Sequence, residues 1–244
     1  MRWCLLILCI SVGFASKLPD AIPRCHRSQP DFITCVQKSM EIGMRVLASG
    51  NKDLGLLPIE PLFVKDMEIS SHGSSVTLEQ KYHNVKVHGM TFSDITAVKA
   101  DFENNCEYYI NVFSPALRME GEYEMTGKVL IFPLNSKGNC NVTLVENHAV
   151  HAMQCERYQK NGKTFMKWTN YTIILNPTNV VYDFDNIFPA NPQIENEIRK
   201  TLNDNSLSIF KEVKASFERI FSIIYLNNGN KIASKVPIEE MVLP

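Results

Sequence analysis

Beyond its first dozen residues the chain has no apolar run approaching the ~20 residues of a membrane-spanning helix, so no stable membrane insertion is expected. Neither sign of charge is in excess: 25 Lys and Arg stand against 26 Asp and Glu, a formal net charge of −1. Phosphate recognition needs clustered basic residues, so nucleic acid and anionic lipid surfaces are not expected as partners. There is no internal repeat, linker or low-complexity stretch, which makes one domain the economical organisation. No G-x-S-x-G elbow, H-E-x-x-H or Walker-type loop occurs. His148 and His151 are close in sequence, but in strand-like sequence a separation of three points them to opposite faces. His83 and His88 suffer the same odd spacing, so shared metal ligation is not expected, and these histidines are read as solvated or edge residues. Asp183 and Asp185 share a face between Tyr182 and Phe184; the outward charged face of an amphipathic strand accounts for them better than an acid–base pair. No catalytic residue, metal or cofactor is expected.

What is present begins with a three-part export signal. Met1-Arg2 is a short positive start, Trp3 to Val12 is almost unbroken apolar sequence, and Gly13-Phe14-Ala15 places small residues at a cleavage site after Ala15 or Ser16. Residues 1–15 are therefore expected to be a signal peptide, and residues 16–244 a secreted, extracellular domain. About 228 residues remain, ample for a sizeable core. Of the seven cysteines, Cys4 and Cys9 leave with the signal. Cys25, Cys35, Cys106, Cys140 and Cys155 stay, an odd number in an oxidising compartment. Two N-x-[ST] sequons, at Asn141 and Asn170, are candidate glycosylation sites.

Ser28-Gln-Pro-Asp31 reads as a helix start with a capping serine. Phe32, Val36, Met40 and Leu47 recur at helical spacing, and Gly50 ends the segment. Cys35 thus lies in the first turns of a short amphipathic helix with Cys25 just before it. Pairing of those two would staple the N-terminal arm to the helix, closing a short loop worth roughly 2–3 kcal/mol. Strand-like segments follow at Val76–Tyr82, Val85–Met90, Ile95–Phe102, Cys106–Phe113, Leu117–Met125, Lys128–Leu134, Asn141–Val145, Ala149–Tyr158, Thr164–Leu175 and Val180–Phe184. Turn signals at Ser114-Pro115, Thr126-Gly127, Lys137-Gly138 and Asn161-Gly162 divide them. Short turns imply an antiparallel meander. After Pro192, Ile194, Ile198, Leu202, Phe210, Val213, Phe217, Ile220, Phe221 and Ile224 form one stripe of a helix of roughly 30 residues, whose only long partner surface is the sheet.

If Asn141 and Asn170 face solvent, alternation turns Val142, Leu144, Tyr171, Ile173 and Leu175 inward, and Cys140 with them, as a buried inert thiol. Lys128–Leu134 and Tyr108–Phe113 are apolar on both faces. Such strands are either doubly covered or line something apolar.

The cysteine pair at the helix start is followed by Asp53-Leu-Gly-Leu-Leu-Pro-Ile-Glu-Pro-Leu62. Asn84-Val-x-Val-x-Gly89, Gly121-x-Tyr123-x-x-x-Gly127, Asn161-Gly-Lys-Thr164, Leu175-x-Pro177, Asn186-Ile-Phe188 and Lys235-Val-Pro237-Ile-Glu-Glu240 come after it in order. This ordered set resembles the insect takeout and juvenile-hormone-binding protein family. Cys106, Cys140 and Cys155 give no clear match to the second disulfide of the hormone-binding branch, which places the chain nearer the takeout-like group. The resemblance implies an α+β fold: a single tubular lipid-binding module, with a strongly curved antiparallel sheet wrapped around a long C-terminal helix and an elongated apolar cavity inside. It also implies a non-catalytic, monomeric carrier of a small hydrophobic ligand, terpenoid or lipid-like, linked to feeding, chemosensory or circadian output. Tyr171 and Ile173 on a strand, with Phe217 and Phe221 on the helix, are the candidate cavity-lining residues. The alternative is a secreted signalling protein that docks on an unidentified receptor and holds lipid only as a structural plug.

Overall fold

The computed structural model describes residues 16–73, 76–101 and 105–244. The expected signal peptide, with Cys4 and Cys9, lies outside the described residues. The elements in order are β1 (Cys25–His26), α1 (Phe32–Val46), β2 (Leu62–His72), β3 (Val76–His88), β4 (Asp94–Asp101), β5 (Glu107–Val129) and β6 (Phe132–Lys160). They continue as β7 (Lys163–Ile174), β8 (Asn179–Phe184), α2 (Pro192–Asp204), α3 (Ser206–Ala233), α4 (Ile238–Met241) and β9 (Val242–Leu243).

Strands β2 to β8 make one antiparallel sheet in the order β2-β3-β5-β6-β7, with β4 attached to β5 and β8 to β6. Two very long strands, β5 of 23 residues and β6 of 29, are its spine. Each changes partner along its length: β5 pairs first with β4 and then with β3, and β6 first with β8 and then with β7. Twist accumulates over such lengths, so the sheet curls. The fold is α+β, a curled antiparallel sheet with a long C-terminal helix against its inner face.

Three of the four expected turns are absent. Thr126-Gly127 and Lys137-Gly138 lie inside the spine strands, and the hairpin between them turns at Leu130 and Ile131, within what sequence alone reads as the strand Lys128–Leu134. Only Asn161-Gly162 turns, both residues taking the positive φ (52° and 73°) of a type I′ hairpin. Ser114-Pro115 does something else. Ser114 pairs with Asn147 and Ala116 with Val145, while Pro115 and Glu146 between them take no part in the ladder. Proline has no N–H to give, and Glu146 has φ 45°. Both strands step there together. Inward residues are even-numbered before the step on β5 (Ile110, Val112, Ser114) and odd after it (Leu117, Met119). On β6 they change from Val142 and Leu144 to Asn147, Ala149 and His151.

The other differences have local causes. Residues 62–72, not expected as a strand, form β2, whose pattern of buried positions is too irregular to announce a period of two. Ser28 caps nothing; Gln29 holds the turn by accepting from His26 N, and α1 begins later at Phe32. The C-terminal stripe is two helices of 13 and 28 residues. They part at Asn203-Asp-Asn205, short polar residues that hydrogen-bond backbone in competition with the helix ladder. Across β3 and β5 two sequence signatures meet: the register shifts between His83 and Lys86, and Gly121 lies opposite. A Cβ at Gly121 would come within 2.9 Å of the His83 carbonyl oxygen.

Cys25 and Cys35 are joined, and so are Cys106 and Cys155; Cys140 is free and buried. The second bridge ties the start of β5 to β6, a pairing that the cysteine spacing alone leaves open. Burial pushes the Cys140 thiol up to about 12, so it stays protonated.

Among the described residues, four strands of the large sheet (β2, β4, β7 and β8) have an edge with no strand beside it, and helix side chains reach each. Gln37 and Glu41 of α1, one turn apart, bond the carbonyl and N–H of Ile95 on β4 (2.5 and 2.9 Å). Asn203 of α2 bonds both backbone groups of Tyr182 on β8 (2.9 Å each). On α3, Ser216 donates to the Ser70 carbonyl of β2. Further along, Glu218 accepts from Leu175 N (2.8 Å), Ser222 from Ile173 N (3.1 Å), and Asn230 bonds both backbone groups of Trp168 (2.8 and 2.9 Å). An unpaired edge wastes hydrogen bonds and invites foreign strands; here helix side chains stand in for the missing strand. Asn230→Leu should therefore cost about 2 kcal/mol, because two backbone groups lose their partner at once. The check is a lowered urea midpoint with unchanged m-value.

Candidate functional site

Between the inner face of the sheet, α1 and α3 lies a cavity of about 400 Å³. Its walls are overwhelmingly apolar, and no Lys, Arg, Asp or Glu contributes to them. The walls follow from the parity of the strands: Ile110, Val112, Val142 and Leu144 come from the spine before and around the step, Met119 and Ala149 from beyond it. Helix α1 adds Met40 and Met44 at i and i+4.

All four candidate lining residues face this space. Tyr171 and Ile173 reach it from β7, Phe217 and Phe221 from α3. Tyr108–Phe113 is apolar on both faces because Ile110 and Val112 face the cavity while Tyr109 lies outside, 44% exposed. Lys128–Leu134 has a different cause: Val129 and Leu134 join the main core and Ile131 is the exposed hairpin tip. Of the sequon residues, Asn170 is exposed on β7, and Asn141 is half-buried on β6, its Oδ1 accepting from Thr143 Oγ1.

The polar lining residues are few and were not foreseen. His151 is not a solvated histidine. Counting alternation forward from an outward Asn141 puts it outside, but the step at Glu146 reverses the parity and turns it in. Its Nδ1 lies 2.7 Å from the Tyr171 hydroxyl, and its ring meets Tyr171 and Tyr225 edge to face, with Tyr171 stacked on Tyr225 at 5.5 Å. Burial holds His151 down to about 4, while it raises Tyr225 to about 12 and Tyr171 well above its ordinary value. All three are neutral near pH 7. His148 remains outside, exposed beside Phe113.

At the step itself sit Ser93, Ser114 and Asn147, all lining the cavity. Ser93 Oγ donates to the Gly89 carbonyl and lies 2.6 Å from Ser114 Oγ. Asn147 is fully buried, and among the described residues neither its Oδ1 nor its Nδ2 has a hydrogen-bond partner. An orphaned buried amide costs on the order of 1–3 kcal/mol. Among the described residues no three His, Cys, Asp or Glu side chains gather as metal ligands.

The family model for haemolymph juvenile hormone binding protein matches residues 4–243. The chain belongs to that family. Among similar proteins, the circadian clock-controlled protein daywake of Drosophila yakuba is 19% identical over 236 residues, covering 94% of this chain and 90% of its own. Daywake of Drosophila melanogaster is 21% identical over 225 residues, covering 87% and 85%. A putative beta-carotene-binding protein of Schistocerca gregaria is 20% identical over 218 residues, covering 88% and 86%. The crystal structure of Epiphyas postvittana Takeout 1 superposes with a TM-score of 0.82 at 19% identity, over 91% of this chain and 99% of the other. The chain shares its fold with Takeout 1.

The neutral His151 gives the site a pH signature. Its folded pKa lies below the unfolded value of about 6.5, so the unfolded chain takes up the proton first as pH falls. Stability should drop between about pH 6.5 and 4, by on the order of 3 kcal/mol, and change no further on this account below 4. In His151→Gln this component is expected to vanish. Subtracting the two denaturation-versus-pH curves isolates it.

Proposed function

We propose that this protein is an exported, non-catalytic carrier that holds a small hydrophobic ligand, terpenoid or lipid-like, in the cavity between its sheet and α3. The observation that carries this reading is the cavity itself: about 400 Å³, walled by apolar side chains and free of charged ones. A space of that size falls in the range of small-molecule pockets. Apolar burial supplies the binding, ~25 cal/mol per Å² removed from water, with shape setting selectivity. Tyr171, Ile173, Phe217 and Phe221 are the proposed contacts. Membership of a family described by hormone binding supports the reading, as does a relative named for binding beta-carotene. The daywake relatives, named as clock-controlled, support a circadian link.

The chemistry of the lining favours carriage over turnover. His151 is bonded to a phenol rather than a carboxylate and is too weak a base for proton abstraction near neutrality. Export rests on residues 1–15, and Asn170, exposed on β7, is the better placed of the two glycan acceptors.

Native mass spectrometry of protein purified from its own secretions should find a stoichiometric hydrophobic molecule, unaltered on incubation. An empty core would favour the receptor-docking alternative, and a covalently changed molecule would point to an enzyme. Ile173→Arg and Phe217→Arg are expected to abolish binding of an apolar fluorescent reporter while some protein is still secreted. Ile174→Arg, one residue along on the exposed face, should leave binding intact. If neither inward variant is secreted at all while Ile174→Arg is, those positions are ordinary core.

A further inference from the structure

Among the described residues Asn147 has no hydrogen-bond partner for either amide atom, although it is fully buried and lines the cavity. Tyr182 Oη is also without a partner, but Tyr182 is not among the lining residues. Asn147 is therefore a donor and an acceptor side by side, at the wall of the space a ligand would fill. Its cross-strand neighbour is Ser114. Ser93 gives its proton to the Gly89 carbonyl, so Ser114 is the donor of the serine pair and keeps lone pairs free to accept. Of the other polar lining residues, His151 and Tyr171 are bonded to each other, Tyr225 meets both through its ring, and Asn228 Oδ1 accepts from Lys231 Nζ. Buried polar groups are nearly always paired, so an orphan at the wall of a cavity points to what enters it.

We infer that Asn147 anchors the polar end of the ligand, and that this end is uncharged and carries a hydrogen-bond donor beside an acceptor, as in a primary amide or an un-ionised carboxylic acid. The inference rests on the carrier reading and adds the ligand's head group to it. Neutrality follows from the lining, which offers no charged side chain to compensate a buried ion. The donor-plus-acceptor requirement follows from the two orphaned atoms: an ester or an aldehyde can only accept and leaves Oδ1 unpaired, and a hydrocarbon leaves both unpaired. Ser114 Oγ is positioned on the adjacent strand to accept a second proton from an amide. Position along the strand also matters. Asn147 is the first inward residue of β6 past the step opposite Pro115, so the break in the ladder is what turns this amide into the cavity.

The test is a matched series on the delipidated mature chain: dodecanamide, methyl dodecanoate and dodecane, each displacing an apolar fluorescent reporter. The amide should bind roughly tenfold or more tighter than the ester. In Asn147→Leu, close in volume but apolar, that preference should disappear while dodecane affinity stays within about twofold. The same variant should also raise the Tm of the empty protein, since it removes an unsatisfied group; a fall in Tm would show an asparagine already bonded in the native state and overturn the anchor. Equal binding of amide and ester by the wild type, as expected if Asn147 keeps an ordered water, overturns it as well, whether or not the variant folds. A preference that survives Asn147→Leu does the same. Binding of none of the three overturns the carrier reading and the anchor with it.

Discussion

Glu218, Ser222 and Asn230 of α3 bond backbone groups of Leu175, just past the end of β7, and of Ile173 and Trp168 within it, and the tube depends on that row. The geometry works because four residues of α-helix rise about 6 Å and two residues of strand about 6.7 Å, so side chains one helical turn apart meet alternate strand residues running the other way. The row is interrupted at Leu226, which has no polar group to offer beside Tyr171. The same α3 reaches the opposite margin of the sheet through Glu212 at Val76 N and Ser216 at Ser70. One helix thus joins both sides of a curled sheet. Closure of this kind removes exposed edges without forming a complete barrel.

Held at the edges, the helix need not be drawn fully into the sheet. A helix packed on a sheet by apolar contact alone has every reason to collapse the space between them, because voids forfeit dispersion contacts. Here hydrogen bonds along the rim fix how closely α3 approaches, and Phe210, Phe217 and Phe221 cover one side of the space. Helix α1 closes another side in the same manner, its Gln37 and Glu41 bonding Ile95 on β4 while Met40 and Met44 turn inward. The two functions sit on different faces of the same helices, polar residues on the rim and apolar residues on the cavity.

Much of this was legible in the sequence, and the exceptions share a cause. The antiparallel arrangement, the amphipathic N-terminal helix and the C-terminal helical stripe follow from periodicity, and the tubular closure followed from the ordered motifs. Tyr171, Ile173, Phe217 and Phe221 could be singled out because each is a large apolar residue on a regular face. Strand boundaries were misplaced where Gly and Pro do not turn the chain. Gly127, with φ 135°, sits inside β5 where the Thr77 carbonyl leaves no room for a Cβ, and Pro115 marks a step rather than a turn. That step hid the polar lining. Alternation is reliable only while the ladder is unbroken, and a reader who carries the parity of Asn141 through Glu146 puts His151 and Asn147 on the wrong side. The one available signal was Pro115 itself, in a segment otherwise reading as strand on both sides.

The division between rim and lining bears on how this fold varies. At 19% identity the chain still superposes on Takeout 1 with a TM-score of 0.82, so most positions have changed while the architecture has not. A rim contact requires only a side chain that can reach a backbone group, and Glu, Gln, Ser and Asn all serve that purpose here. A lining contact requires only an apolar side chain of suitable volume, and such swaps are tolerated well. Neither class demands a particular residue, so neither constrains identity strongly. Geometry constrains a smaller set in this chain, where backbone and cavity meet: Pro115 beside the break in the ladder at Glu146, and Gly121, where a Cβ would meet the His83 carbonyl oxygen. On the proposed carrier reading, directional contacts add to the selectivity that shape provides, since one methylene more or less changes affinity only modestly whereas an unmatched buried polar group is rejected strongly. For a ligand bound as proposed, the step in β5 and β6 is where its polar end would be discriminated, and a change of a single inward residue there would alter the preferred ligand without disturbing the rim that holds the tube closed.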